Sequence, residues 1–560
     1  MPQCKNCGQE FIITEQDRSF YNRINVPEPQ ICWACRRQRR LAWRNERVLY
    51  RRKCDLCQTE MVSLYPENNP TPIYCHECWW SDKWGGADYA QDFDFSQPFF
   101  EQFSQLIKNV PRLTIINSKG INSDFCNYSY ANKNCYLTIG CHYEEDCFYN
   151  DHSTKNHSCL ELARSINCEL SCNCVDSAKC YQCSYLDFCK ECNNCHFCYN
   201  CSGCHDCFLS SDQLNQKYVF KNKQLTPHNY QQTVGDYLSG SYQQFERAQQ
   251  EYLEIVKNTI KKYTHQVYCV DCVGDDLVNC KNLRYCFDAT GCADCAYGVQ
   301  MDEQYDSRDN DYMGYDRSEV CLETIGCSGV FNCYFCDSCW HDHHLQYSNL
   351  AFGSNDCFGC VGIKNQKYCI LNKQYSEDEY KKLLSKVIDH LKKTGEYGWF
   401  FPLGLSPYGY NATVNMEPYN QPLNKVEVSE LGSWWQENTP GTFGKETINQ
   451  LPDNIGEVGD NIIKEILACA NCHKNFKIIT QELELYKKLN LPLPRLCPDC
   501  RYFARIKRRQ PRQLYLRQCM CSKNHQWHQG KSCPNKFETV YSPTGAEQLY
   551  CAECYRQETY

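Results

Sequence analysis

The cysteines of this chain are spaced rather than scattered, and their spacing limits what the chain can fold into. Near the start, Cys4-x2-Cys7 is followed by Cys32-x2-Cys35, then Cys54-x2-Cys57 and Cys75-x2-Cys78. Near the end, Cys469-x2-Cys472 and Cys497-x2-Cys500 repeat the first two pairs at an offset of 465 residues. The match takes in Tyr21 and Tyr486, Val26-Pro27 and Leu491-Pro492, and Cys54 and Cys519. It then breaks, because Cys57 meets Ser522. Downstream the offset is 476: Cys57 meets Cys533, Tyr65 meets Tyr541, and Cys75-x2-Cys78 meets Cys551-x2-Cys554. An 11-residue insertion carrying Cys521, His525 and His528 therefore lies between Cys519 and Cys533.

Paired CxxC knuckles can close a tetrahedron around one ion, the pattern of a structural four-cysteine zinc site. Four sites are expected: Cys4, Cys7, Cys32 and Cys35; Cys54, Cys57, Cys75 and Cys78; Cys469, Cys472, Cys497 and Cys500; and Cys519, Cys533, Cys551 and Cys554. About four Zn2+ ions follow, each closed by four thiolates, an arrangement that supplies folding energy rather than catalysis. Cys521, His525 and His528 could replace or extend one ligand set, or be ordinary loop residues.

Between the knuckles the chain is basic. Nine Lys/Arg face only Glu46 between Arg36 and Lys53, and eight face only Asp499 between Arg495 and Arg517. The whole chain carries −8, so the remainder is strongly acidic. A uniformly basic nucleic-acid binder is excluded, but local phosphate contact is not. The candidates for that contact are Arg36, Arg37, Arg39, Arg40, Arg44, Arg505, Arg508 and Arg509. The competing reading makes these arginines counter-charge for zinc thiolates or for the acidic middle. Leu41, Trp43, Val48 and Leu49 suggest a short helix within Arg36 to Arg52, and Pro511 stops its counterpart early.

The middle is a second duplication, with Cys207-Phe208 to Tyr230 matching Cys357-Phe358 to Tyr380 at offset 150. From Cys126 to Cys207 every cysteine except Cys172 has a residue number divisible by three, and steps of six are common. Cys321, Cys327, Cys333 and Cys339 repeat the step, as do Cys280, Cys286 and Cys292. Neither an α-helix nor a flat antiparallel sheet gives a period of six. A β-solenoid whose side is a short strand plus a corner does, with 12 or 18 residues per coil. Aromatics that follow the cysteines, such as Tyr136, Phe148 and Phe208, would then face outward. The stacked thiols have three open readings: a small apolar core, disulfides, or soft-metal ligands.

Each copy ends in a strand and a helix. Thr226-Pro227 starts the first helix, which breaks near Gly240. Ser376 and Glu379 form a capping box for the second, which stops near Gly395. Phe99, Phe103, Leu106, Ile107 and Val110 predict an amphipathic linker helix ending at Pro111. His341, His343 and His344, beside Cys336 and Cys339, form the one histidine cluster, either a metal site or a solvated loop.

Several of these residues resemble a family of uncharacterised cysteine-rich zinc-ribbon proteins from candidate-phyla bacteria. They are Phe11-Ile-Ile, Phe20-Tyr21, Val26-Pro-x-Pro29, Cys32-x2-Cys35-Arg-Arg, Arg44-Asn45, Leu49-Tyr50-x-Arg52-x-Cys54, the six-spaced Cys-Tyr core, Phe401-Pro402, Ser406-Pro407-Tyr-Gly-Tyr-Asn411 and Cys551-x-x-Cys554-Tyr555. The resemblance covers nearly the whole chain and implies zinc binding and a bacterial cytoplasmic setting. Some relatives bear a CaiB/BaiF-type CoA-transferase label, but no motif here supports that activity.

The sequence thus predicts a mainly β protein with short helices, in which duplicated zinc-ribbon modules flank a tandem cysteine-rich, solenoid-like repeat. Residues 1–80 and 466–560 form double zinc-ribbon modules, and 81–118 a helical linker. Residues 119–264 and 265–395 form the two repeats, and 396–465 an irregular connector. No GxGxxG, P-loop, GxSxG or HExxH occurs, so no catalytic residues or small-molecule substrate are expected. No apolar run reaches the roughly 18–20 residues of a membrane span, and Met1-Pro2-Gln3-Cys4 opens no signal peptide. The expected function is a zinc-binding structural or interaction protein in the cytoplasm, partnered by nucleic acid or by protein. The alternative is a redox or metallocluster protein that uses the central thiols for Fe–S or soft metal.

Overall fold

The structure, a computed structural model, describes residues 1–281, 283–290, 308, 311, 316–529 and 531–559. Cys292, expected to continue the ladder, lies outside the described residues. Helix and strand take similar shares, 25% and 24%, so the chain is mixed rather than mainly β. Among the described residues its sheets are small and open, the largest having five strands.

The middle is organised by one register. From Ile121 to Ser202, nearly every third residue makes a parallel bridge to the residue twelve positions on. Toward the end of the first copy these bridges lengthen into the parallel strands Ser184–Asp187, His196–Tyr199, His205–Ser211 and Lys217–Phe220. The second copy repeats this, ending in His343–Gln346, Asn355–Phe358 and Lys367–Ile370. The repeat unit is therefore three residues, not the six read from the cysteines, and the return distance is 12, not 18.

The backbone explains the triplet. From Tyr128 to Lys221 every third residue has a left-handed φ of about 44–64°. The residue before it is the extended, bridging one, and the residue after it points inward. Left-handed φ is costly for L-residues, most of all β-branched ones, and least for Asn, Asp and Gly. No Val, Ile or Thr occupies this position in the span, whereas Asn134, Asp146, Asn194, Asp206 and Gly203 do. Ile139, Thr154, Ile166 and Val175 take the bridging position instead. Asn–Asp side-chain bonds link successive left-handed residues at the same offset of 12, as from Asn194 to Asp206 at 2.6 Å.

Inward positions hold Cys126, Cys135, Cys147, Cys159, Cys168 and Cys174 to Cys207, nearly all below 3% exposed, with Ser, Asn, Thr and Leu between. Cys172, the exception to the rule of three, is a bridging residue and packs outward against the C-terminal module. The aromatics after the cysteines also leave the interior, but Phe148, Phe208 and Phe358 are buried by other segments.

The helices sit at their sequence signals. Pro227–Gly235 is capped by Thr226, Tyr242–Asn258 restarts at Ser241, and Glu377–Thr394 has the Ser376/Glu379 box and ends on left-handed Gly395. Phe99–Asn109 packs Phe99 against Tyr347 and Phe358 of the second copy. Trp33–Leu41 begins earlier than expected, because Cys32 of a CxxC pair is its N-cap. Its counterpart, Pro498–Ile506, is capped by Cys497 and ends before Pro511. Residues 396–465 form short 3-10 turns and the helix Lys425–Glu430. Among the described residues, no helix is long and apolar enough to cross a membrane.

Candidate metal centres

The four expected cysteine sets are each brought together, with all four Sγ atoms within 4.8 Å of one another. A tetrahedral ion with Zn–S bonds of about 2.3 Å needs Sγ–Sγ edges of roughly 3.8 Å. The measured edges are 3.8 Å for Cys7–Cys32 and Cys57–Cys75, 3.7 Å for Cys472–Cys497 and 4.0 Å for Cys533–Cys551. These donor sets fit a metal ion.

The second knuckle of each set opens a helix. Cys32, Cys75 and Cys497 are N-caps, and Ala552–Thr559 follows Cys551. The positive end of a helix and its free N–H groups favour thiolate over thiol. The first cysteine sulfur of every set accepts the same bond, from the backbone N–H of the third cysteine. The distances are 3.3 Å for Cys32 to Cys4, 3.3 Å for Cys75 to Cys54, 3.2 Å for Cys497 to Cys469 and 3.2 Å for Cys551 to Cys519. Burial opposes ionisation of Cys469, but the amides of Cys472, Cys497 and Asn471 outweigh it and hold the group at about 6. Hydrogen bonding at Thr59 brings exposed Cys57 to about 6. Cys519, Cys533, Cys551 and Cys554 converge, close enough to hold one ion. Cys521 belongs to a neighbouring group with His525, His528 and Cys554.

Ladder thiols have a different environment. Nearly all donate to the backbone carbonyl two residues earlier, and most also to the one nine residues later. Cys159 reaches His157 O at 3.3 Å and Cys168 O at 3.5 Å. Inward serines make the same pair of bonds, Ser165 to Ala163 O at 3.2 Å and Cys174 O at 3.3 Å. These carbonyls already accept backbone N–H bonds, His157 O from Leu170 and Cys168 O from His157, so the thiol uses a second acceptor site and is itself satisfied. Burial pushes Cys141 and Cys174 well above the usual thiol range, which keeps the proton that this bond requires. All cysteines among the described residues are free of disulfides.

The basic arms face inward. Arg37 and Arg40 share Asp311 at 3.1 Å each, and Arg39 reaches Glu323 at 2.9 Å. Arg44 bonds Glu46 at 2.5 Å and lies over the Tyr128 ring, 3.6 Å from its centroid. Arg36 donates to Tyr21 Oη at 2.7 Å, and its counterpart Arg501 donates to Tyr486 Oη at 2.8 Å. Arg501 and Arg505 both pair with Glu161. Arg508 reaches Asp187 at 3.3 Å, Arg509 reaches Asp176 at 3.0 Å, and Arg512 reaches Asp288 at 2.6 Å. Burial raises the Asp288 carboxyl, but Arg164, Arg509 and Arg512 outweigh it and hold the group far below the usual range. Of the eight arginines named as phosphate contacts, seven are buried and Arg508 is half-buried. A phosphate would have to displace these partners. The receiving carboxylates carry no local motif; only the excess of acid in the middle pointed to them.

The histidine cluster does not join the cysteines. His341, His343 and His344 are exposed, while Cys336 and Cys339 point inward at 0% exposure.

No family model matches the chain, and no curated protein matches it. Among solved structures, it is similar to a chain described as an acetyltransferase from Desulfovibrio desulfuricans G20, at 9% identity, covering 46% of this chain and 68% of that one. The TM-score is 0.09, so the likeness carries no argument.

Proposed function

We propose that this is a zinc-stapled structural or interaction protein, in which two double zinc-ribbon modules clamp a tandem cysteine solenoid. The observation that carries the reading is the set of four closed tetrathiolate geometries with the same N–H to Sγ bond in each. Four thiolates leave no position for water or substrate, so the metal energy is folding energy. Zinc fits better than an iron–sulfur cluster because single-ion edges of about 3.8 Å are what a Zn–S bond of about 2.3 Å requires.

The solenoid reading rests on the bridges at offset 12 and the left-handed residue at every third position, which together make a four-sided coil of three residues per side. Its carbonyl-bonded thiols act as core filling rather than as ligands. Free thiols in such number suit a reducing compartment, hence a cytoplasmic location. With the arms engaged as internal counter-charge, the partner is a protein rather than nucleic acid.

Anaerobic purification followed by elemental analysis and a visible spectrum tests this. At least four zinc ions per chain, no iron and no colour are expected. Iron with absorbance near about 400 nm would favour a cluster protein instead.

A further inference from the structure

The insertion in the C-terminal module brings more donors than one ion can use. Cys521, His525, His528 and Cys554 form a second group of four with ligand atoms within 4.8 Å, and all four are buried. Cys554 belongs to this group and to the tetrathiolate set with Cys519, Cys533 and Cys551. The Sγ of Cys554 lies 3.5 Å from His528 Nε2. That is roughly the S–N edge of a tetrahedron built on Zn–S and Zn–N bonds of about 2.3 and 2.0–2.1 Å.

The imidazoles are otherwise poorly satisfied. His525 and His528 are each 6% exposed. Their Nε2 and Nδ1 atoms, respectively, have no hydrogen-bond partner; His525 Nε2 faces only the Glu558 carboxylate, at 3.4 Å. A carboxylate behind a histidine is the usual outer partner of a metal-bound imidazole. With His525 Nε2 turned to Glu558 and His528 Nε2 turned to Cys554, the atoms a metal ion would take are His525 Nδ1 and His528 Nε2. The backbone holds the group in place: Cys533 N–H donates to Cys521 O at 2.9 Å, and His528 N–H to His525 O at 3.2 Å.

We propose that the C-terminal module holds a dinuclear zinc centre in which the Cys554 thiolate bridges two ions. One ion takes Cys519, Cys533, Cys551 and Cys554. The other takes Cys521, His525, His528 and Cys554. Each reaches the four ligands zinc prefers only if Cys554 is shared. Five thiolates around two Zn2+ also leave a smaller net charge than a lone tetrathiolate site. The proposal rests on the zinc reading of the terminal modules and adds a fifth ion to it.

The test is zinc stoichiometry of the full-length, anaerobically purified chain. Removing the second ion with the double variant His525→Ala/His528→Ala should lower the count by one. Cys551→Ser, which touches only the tetrathiolate set, should also lower it by one. A single ion able to shift between the two sets would survive either change, so an unchanged count in either variant overturns the proposal. Should Cys551→Ser not fold, zinc-edge X-ray absorption of the unaltered protein decides: a zinc–zinc scattering path is expected, and its absence overturns the bridge. Four ions without that path would leave the tetrathiolate reading standing. A protein with no zinc, and no loss on Cys32→Ser, would sink both.

Discussion

The two ends of the molecule share one frame and protect their cysteine clusters differently. In both, an antiparallel hairpin precedes a knuckle at a helix start: Tyr50–Lys53 with Glu60–Ser63, and Tyr515–Gln518 with Lys536–Thr539. In the N-terminal module the second cysteine of the later site, Cys57, is exposed. Its C-terminal equivalent, Cys533, is fully buried. The cause is the 11-residue insertion, which lays Cys521, His525 and His528 beside the site. Cys7 and Cys472 are exposed as well, so burial at Cys533 is the exception and follows from the added loop rather than from the ribbon. A structural knuckle tolerates one wet thiolate; a site with extra donors does not leave one.

Breaking a site outright should have the largest effect. Cys32→Ser should release one zinc and unfold the N-terminal module while the C-terminal module keeps its metal. Binding energy at structural zinc sites is on the order of 10 kcal/mol. Zinc content and a melting curve with a new early transition would show it; full zinc and an unchanged melt would sink the assignment.

The counterpart arginines test whether the two arms dock alike. Arg40 and Arg505 are 0% and 1% exposed, on Asp311 and Glu161. Breaking a buried pair costs about 3–5 kcal/mol, so Arg40→Ala and Arg505→Ala should destabilise the protein by similar amounts in chemical denaturation. Neither should alter retention on DNA or RNA at low salt. A stable Arg40→Ala variant that loses nucleic-acid affinity would instead make that arm a phosphate contact.

A pH titration should separate the arms. The acid of the N-terminal arm, Glu46, faces His152 of the ladder at 3.3 Å; Pro511 stands at the equivalent C-terminal position. Burial would lower His152, but Glu46 and Asp151 outweigh it and raise the group to about 9. Burial would raise Glu46, but His152 and Arg44 hold it at about 2. A raised histidine stabilises fully below its unfolded value of about 6.5 and loses that contribution as pH climbs to about 9, and one pKa unit is about 1.4 kcal/mol. The lowered glutamate contributes above about 4.3 and fades as pH falls toward about 2. Hydrogen exchange around residues 44–47 should therefore quicken between pH 6.5 and 9 by an amount matching about 3 kcal/mol, while residues 501–509 stay protected. Equal quickening in both arms would refute the difference.

The smallest effect is expected in the ladder. Cys159→Ser keeps the donor that Ser165 uses in the same kind of position, and should cost no more than about 1 kcal/mol. Cys469→Ser, the same change at a thiolate, should remove an ion. If Cys159→Ser also removed metal, the ladder would be a ligand site.

Much of this was legible in the residues. The offsets of 465 and 476 identified the four cysteine sets because a tetrahedral site needs donors at fixed spacing, whatever surrounds it. Helix ends were legible at Thr226, Ser376 and Gly395, because caps act within one turn of chain. The triplet was only half legible. Up to Cys180 cysteines often fill alternate inward positions, with Ser, Asn, Thr, Glu or Leu between them, so a period of three looked like one of six; from Cys189 to Cys207 every inward position is a cysteine. The missing signal was the exclusion of Val, Ile and Thr from every third position between Tyr128 and Lys221, a mark of left-handed backbone rather than of side-chain chemistry.

What the sequence by itself determined was local: knuckles, caps, the insertion and the placing of charge in two basic arms against an acidic middle. Only the tertiary structure decided where those charges went. Asp311 lies 274 residues from Arg37, and Glu161 lies 344 residues from Arg505, distances at which no spacing rule links one side chain to another. It also decided that the ladder thiols meet carbonyls two and nine residues away, because that depends on a backbone closing on itself every twelve residues. And it decided that Cys554 stands between two donor groups, since a loop inserted between Cys519 and Cys533 has no sequence mark for the atom it will fold against.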